Sequence, residues 1–66
     1  MFKDILLDLM NEHSLNQSQL AKRANIPPTT ISGWINAGRL PDYNALIKLS
    51  KFFGVSGDFL LGLKDY

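Results

Sequence analysis

Apolar residues recur along this chain at helical spacing, and the breaks between the apolar runs are as informative as the runs themselves. Phe2, Ile5, Leu6, Leu9 and Met10 fall on one side of a helical pattern, with Lys3, Asp4, Asp8 and Glu12 opposite. That predicts an amphipathic first helix ending near His13 and Ser14. Asn16 is a good N-cap, Gln19 stands where the partner of a capping box belongs, and Leu15 and Leu20 occupy the two ends of a hydrophobic staple. A helix from Gln17 to about Ala24 follows. The staple spacing returns at Ile26 and Ile31, now bracketing Pro27 and Pro28. A proline loses no hydrogen bond at the first helical position, so Pro28 starts a helix. Ile26 and Pro27 each precede a proline and are pushed to extended or turn backbone.

Downstream, Asp42 caps a helix on which Tyr43, Leu46, Ile47, Ser50 and Phe53 are expected to form one face, and Gly54 ends it in a left-handed conformation. Ser56 then caps a last short helix, with Val55 and Leu60 as its staple, Phe59 and Leu63 as further core candidates and Gly62 as its stop. Five short helices with brief connections leave no room for a sheet, so the expected fold is all-α.

Composition narrows the picture. At 66 residues the chain is read as one domain, 1–66, and folding at this size removes only about 60% of the unfolded chain's surface from water. Its 45% apolar and 20% charged residues suit a globular domain, and the lack of cysteine excludes disulfides and thiolate metal sites. The opening MFKDILLDLM is too short and too acidic for a secretory signal, and no apolar run approaches the roughly 20 residues that span a bilayer. A cytoplasmic protein without a membrane partner is expected. The net charge of +1 says little, but its distribution says more: between Glu12 and Asp42 there is no Asp or Glu, while Lys22, Arg23 and Arg39 lie inside that window. The middle of the chain is therefore locally positive and rich in hydroxyls and amides.

A short helix, a tight turn and a second short helix, joined through Leu20, Ala21, Ile26, Ile31 and Trp34, make a helix-turn-helix over about residues 17–36. Leu15, Gln17, Leu20, Ala21, Ile26, Ile31, Ser32, Trp34 and Asn36 fit the pattern L-x-Q-x-x-L-A-x4-(I/V)-x4-I-S-x-W-x-N, and Pro41 and Gly54-Val55-Ser56 follow in order. In these features the run from Leu15 to Leu60 resembles the Cro and phage-repressor type of helix-turn-helix family. The resemblance implies a compact five-helix domain of the lambda-repressor-like type that binds double-stranded DNA.

It also implies roles for residues. Positions matching Pro28, Thr29 and Gly33 look at base edges in that family, and Ser32 shares their outward side. Thr29 is the leading candidate, since its hydroxyl can donate or accept and its methyl can pack on a thymine methyl. Gly33 and Pro28 depart from the usual pattern, the one lacking a long polar side chain and the other offering only a ring. Base readout is therefore expected to lean on methyl contacts, water bridges and DNA shape. Gln17 and Ser18, at the start of the first motif helix, are candidates for phosphate contacts through free N–H groups and the helix dipole. Thr30, Asn36 and Arg39 complete the expected phosphate set. Lys22 and Arg23 are read as solvated charges, and Trp34 as core. Binding as a homodimer to a pseudo-palindromic operator is expected, as for a prokaryotic or phage repressor, with Phe59, Leu60, Leu63 and Tyr66 as the dimer patch.

Enzyme chemistry finds no support in the residues. His13 is the only histidine, no cysteine is present, and the glycines are isolated, so a metal site, a nucleophile–base pair and a phosphate-cradling loop all lack parts. Neither a cofactor nor a small-molecule substrate is expected. The alternative reading is a protein-interaction module, antitoxin-like or adaptor, built on the same fold.

Overall fold

The computed structural model describes residues 1–63, and within them five helices follow one another: α1 Phe2–Glu12, α2 Gln17–Ala24, α3 Pro28–Asn36, α4 Tyr43–Phe53 and α5 Gly57–Leu60. Local capping chemistry sets most of the starts. Asn16 Oδ1 accepts from the Gln19 N–H at 2.8 Å while Gln19 Oε1 accepts from the Asn16 N–H at 3.0 Å, a reciprocal capping box at the head of α2. Asp42 Oδ1 accepts from the Ala45 N–H at 2.8 Å, and Ser56 Oγ from the Phe59 N–H at 3.0 Å. Pro28 occupies the first turn of α3. At the far end of α4, Gly54 takes φ +69°, a left-handed cap that a Cβ would disfavour.

The core gathers one stripe from each helix. Phe2, Leu6, Leu9 and Met10 of α1 meet Leu20, Ala21 and Ala24 of α2, Ile31, Trp34 and Ile35 of α3, and Leu49, Phe53 and Leu60 from the last two helices. Both ends of the two staples flanking the motif helices, Leu15 with Leu20 and Ile26 with Ile31, are buried. Trp34 is only 2% exposed and packs edge-on against Phe2, ring centroids 5.5 Å apart. It is a core residue, which pins α3 to α1 and leaves the opposite side of α3 to water. Burying such side chains contributes about 1.5–3 kcal/mol each.

Two expectations about the core require correction. On α4 the buried residues are Ala45, Leu49 and Phe53, whereas Tyr43 is 77% exposed and Leu46, Ile47 and Ser50 are half-buried. Asn44, Lys48 and Lys51 fall together on one side of this helix and the buried set lies across from them, so its periodicity centres on Leu49 and Phe53 and not on Tyr43 and Ile47. Ala45 also lines a recess with Ile26 and Pro27 of the α2–α3 turn. At the C-terminal end, Leu63 is exposed and not core, while Leu60 is fully buried. Leu60 therefore has no surface to offer a partner. Phe59 is half-buried, and Tyr66, the last member of the expected dimer patch, lies outside the described residues.

Candidate nucleic-acid interface

The turn between α2 and α3 fixes the direction of the second helix. Asn25 takes φ +58° and ψ +50°, a left-handed conformation that asparagine tolerates better than most residues. The N–H groups of Asn25 and Ile26 both reach back to the Ala21 carbonyl, which closes α2. Ile26 then drops into the core, and Pro27, held extended at ψ +136° by the proline after it, delivers the chain to Pro28. From α4, Lys48 Nζ donates to the Asn25 carbonyl at 2.9 Å. The turn is thus tied to the rest of the domain by a residue that lies outside the motif. A bond across 23 positions leaves no local signal.

On α3 the inward residues Ile31, Trp34 and Ile35 determine what faces out. Thr29, Ser32, Gly33 and Asn36 follow at helical spacing on one side, with Pro28 at the exposed start. Thr29 and Asn36 are exposed, while Ser32 and Gly33 are half-buried. Asn36 Nδ2 donates to Ser32 Oγ at 2.9 Å, so a residue expected on a base and one expected on a phosphate form a single polar unit. Thr30 is half-buried and lines a recess with Asp42, Ala45 and Lys48.

Beyond α3 the chain folds back on the helix. Gly38 takes φ +67°, and the Arg39 N–H donates to the Gly33 carbonyl at 3.1 Å. This return lays the Arg39 stem beside Gly33: a Cβ built on the glycine would lie 3.4 Å from Arg39 Cδ. Thr29, Thr30, Gly33, Trp34, Arg39, Leu40 and Asp42 line one open recess there. The Asp42 carboxylate in that recess caps α4. Arg39 has no ion-pair partner among the described residues.

The candidates therefore fall into three places. Pro28, Thr29, Thr30, Ser32, Gly33, Asn36 and Arg39 come together on and beside the outer face of α3. Gln17 and Ser18 sit apart at the head of α2, where the capping box uses the Gln19 N–H and leaves those of Gln17 and Ser18 without protein acceptors among the described residues. Phe59, Leu60 and Leu63 belong to the α5 end. Lys22 and Arg23 are exposed in the last turn of α2. Leu40, at 70% exposure, lines the recess as an apolar surface residue.

No helix among the described residues is long and apolar enough to cross a membrane. The sequence pattern of the helix-turn-helix family matches residues 6–60. YobD of Bacillus subtilis (strain 168), named as an uncharacterized HTH-type transcriptional regulator, is 31% identical over 65 residues, covering 98% of this chain and 58% of that protein. The crystal structure of a transcriptional regulator from Listeria innocua superposes with a TM-score of 0.76 at 30% identity, over 100% of this chain and 59% of that one. The chain thus spans somewhat more than half the length of these relatives. With the pattern covering most of its length and the two-helix unit formed as that pattern requires, the chain belongs to the helix-turn-helix family.

Proposed function

We propose that this domain binds double-stranded DNA in a sequence-dependent way and regulates transcription, as a repressor acting on a pseudo-palindromic operator. The observation that carries the reading is the outer face of α3. It is free of carboxylates, built of small side chains and turned to solvent by the burial of Ile31, Trp34 and Ile35. Such a helix can enter a major groove roughly 12 Å wide without repelling phosphates. In this reading Thr29 touches a base edge, Pro28 packs nearby, and Ser32 with Asn36 contacts the strand through their shared hydrogen bond. Gln17, Ser18 and Thr30 hold phosphates, the first two through the free N–H groups at the head of α2.

One short helix reads few base pairs, so a dimer on half-sites centred about 10 base pairs apart is the working arrangement. Exposed Leu63 and half-buried Phe59 remain the dimer candidates at the α5 end. The experiment is selection of bound fragments from random duplex DNA, followed by footprinting and titration at several salt concentrations. A symmetric protected site, with affinity falling linearly in log salt, is the expected result. Protection of one isolated half-site at every concentration would remove the dimer. Absence of salt-dependent duplex binding would remove the DNA reading and favour a protein-interaction module on the same fold.

A further inference from the structure

We infer that Arg39 stands in for the side chain that Gly33 lacks and reads a base edge, most simply the O6 and N7 of a guanine, from beside the recognition helix. The inference rests on the DNA reading above and changes the role of one residue within it. Gly33 lies one turn beyond Thr29 on the outer face of α3, where a long polar side chain would reach into the groove; with glycine there, the helix itself presents nothing. The space is not empty. Arg39 Cδ lies 3.4 Å from where a Gly33 Cβ would be, and Thr29, Gly33 and Arg39 line the same recess.

The placement is built into the backbone. Gly38 at φ +67° turns the chain back, and the Arg39 N–H is fixed on the Gly33 carbonyl at 3.1 Å, so the stem of Arg39 starts from the helix it serves. Its side chain is exposed, and no carboxylate among the described residues pairs with it. Around it stand Thr29, Thr30, Trp34, Leu40 and Asp42; the Asp42 carboxylate accepts from the Ala45 N–H and makes no ion pair with Arg39. A phosphate contact needs only positive charge at the edge of the interface. A stem laid across the glycine of the reading face instead brings a planar, forked donor to the part of the helix nearest the bases. The fork matches the paired acceptors of guanine, and an ammonium does not.

The test uses the whole chain on its selected duplex, on every single base-pair variant of that duplex and on a scrambled one. Arg39→Lys keeps the charge and loses the fork. It should lose roughly 5- to 150-fold of discrimination at one G·C position, the range of a bidentate pair, with the salt slope unchanged. Gly33→Leu fills the slot with a side chain that makes no hydrogen bond and should erase discrimination at that same position. The double variant should be no worse there than Gly33→Leu alone, because the two changes remove one interaction. Both positions are at the surface, so circular dichroism should report folded variants. Retention of discrimination at every position by Arg39→Lys, equal weakening on selected and scrambled duplexes, or losses that multiply in the double variant would each overturn the inference and return Arg39 to the phosphates. A wild-type chain that does not distinguish the selected from the scrambled duplex would overturn the DNA reading as well.

Discussion

The two helices of the motif begin in opposite ways. α2 opens with a reciprocal capping box between Asn16 and Gln19, so side-chain hydrogen bonds hold its first turn. α3 opens on Pro27 and Pro28 and has no side-chain cap. The prolines lack N–H groups, and the N–H groups of Thr30 and Ile31 both return to the Pro27 carbonyl, at 3.0 and 3.3 Å. That leaves the Thr29 N–H without a protein acceptor among the described residues. What positions α3 is therefore the fixed proline backbone outside and the burial of Ile31, Trp34 and Ile35 inside. A helix held from its inner side has its outer side and its start free for a partner.

The largest effect should come from weakening that inner attachment. Ile31 is fully buried, and Ile31→Ala should destabilise the domain by about 2–5 kcal/mol, read from urea unfolding. A loss below 1 kcal/mol would mean that α3 is anchored by something other than its buried stripe. The outer side should behave in the reverse manner. Thr29→Ala should leave stability within about 0.5 kcal/mol, while costing about 1–3 kcal/mol in binding to the selected duplex and relaxing preference at one base position. Equal weakening on selected and scrambled duplexes would mean that Thr29 holds a phosphate and that the helix lies in the groove in a different orientation.

The same contrast explains what was legible in the sequence. The starts of α2, α3, α4 and α5 follow from Asn16, Pro28, Asp42 and Ser56 because a cap or an N1 proline acts on neighbours within three or four positions. The inward set of α3 was equally readable, since Ile31 and Trp34 stand out against threonine, serine and glycine. The face of α4 was legible but misplaced, since Asn44, Lys48 and Lys51 mark its wet side and point to Ala45, Leu49 and Phe53 as the buried one, not to a face through Tyr43 and Ile47. Leu60 is buried as its staple role requires and so leaves the dimer patch, whereas Leu63, also expected in the core, is exposed; α5 has four residues, too few for a period to show. In the candidate site the outer residues of α3 were readable one by one. The position of Arg39 over Gly33 was not, since it depends on a backbone reversal at Gly38 and on a hydrogen bond back to the helix.

A smaller effect is expected at the head of α2. Asn16→Ala removes the acceptor for the Gln19 N–H and should cost about 0.5–2 kcal/mol of stability. Gln19→Ala removes only the return bond to the Asn16 N–H and should cost less. The order of the two in urea unfolding checks the assignment, and a larger loss for Gln19→Ala would reverse it. If the free N–H groups of Gln17 and Ser18 meet a phosphate, Asn16→Ala should also weaken selected and scrambled duplexes by the same factor, because a frayed first turn misdirects donors that carry no sequence information.

Pro28→Ala should give the smallest change and the clearest contrast with Asn16→Ala. Alanine suits the first helical position, and its new N–H joins those that lack an intrahelical acceptor in any helix, so the folded state loses no hydrogen bond. The cost arises in the unfolded chain. Without the ring, residue 28 regains its φ freedom, and Pro27, no longer followed by a proline, regains access to helical backbone. Together these should lower stability by about 0.4–1 kcal/mol, with the dependence on urea unchanged because the surface exposed on unfolding stays the same. Binding to the scrambled duplex should be unaffected, and binding to the selected duplex should change only if the ring itself packs on a base. An alanine variant as stable as the parent would mean that the prolines do not fix the start of α3, and that Asn25 and the Lys48 bond set it alone. A loss beyond 2 kcal/mol would mean instead that the Pro28 ring makes a packing contribution that its exposed position does not predict.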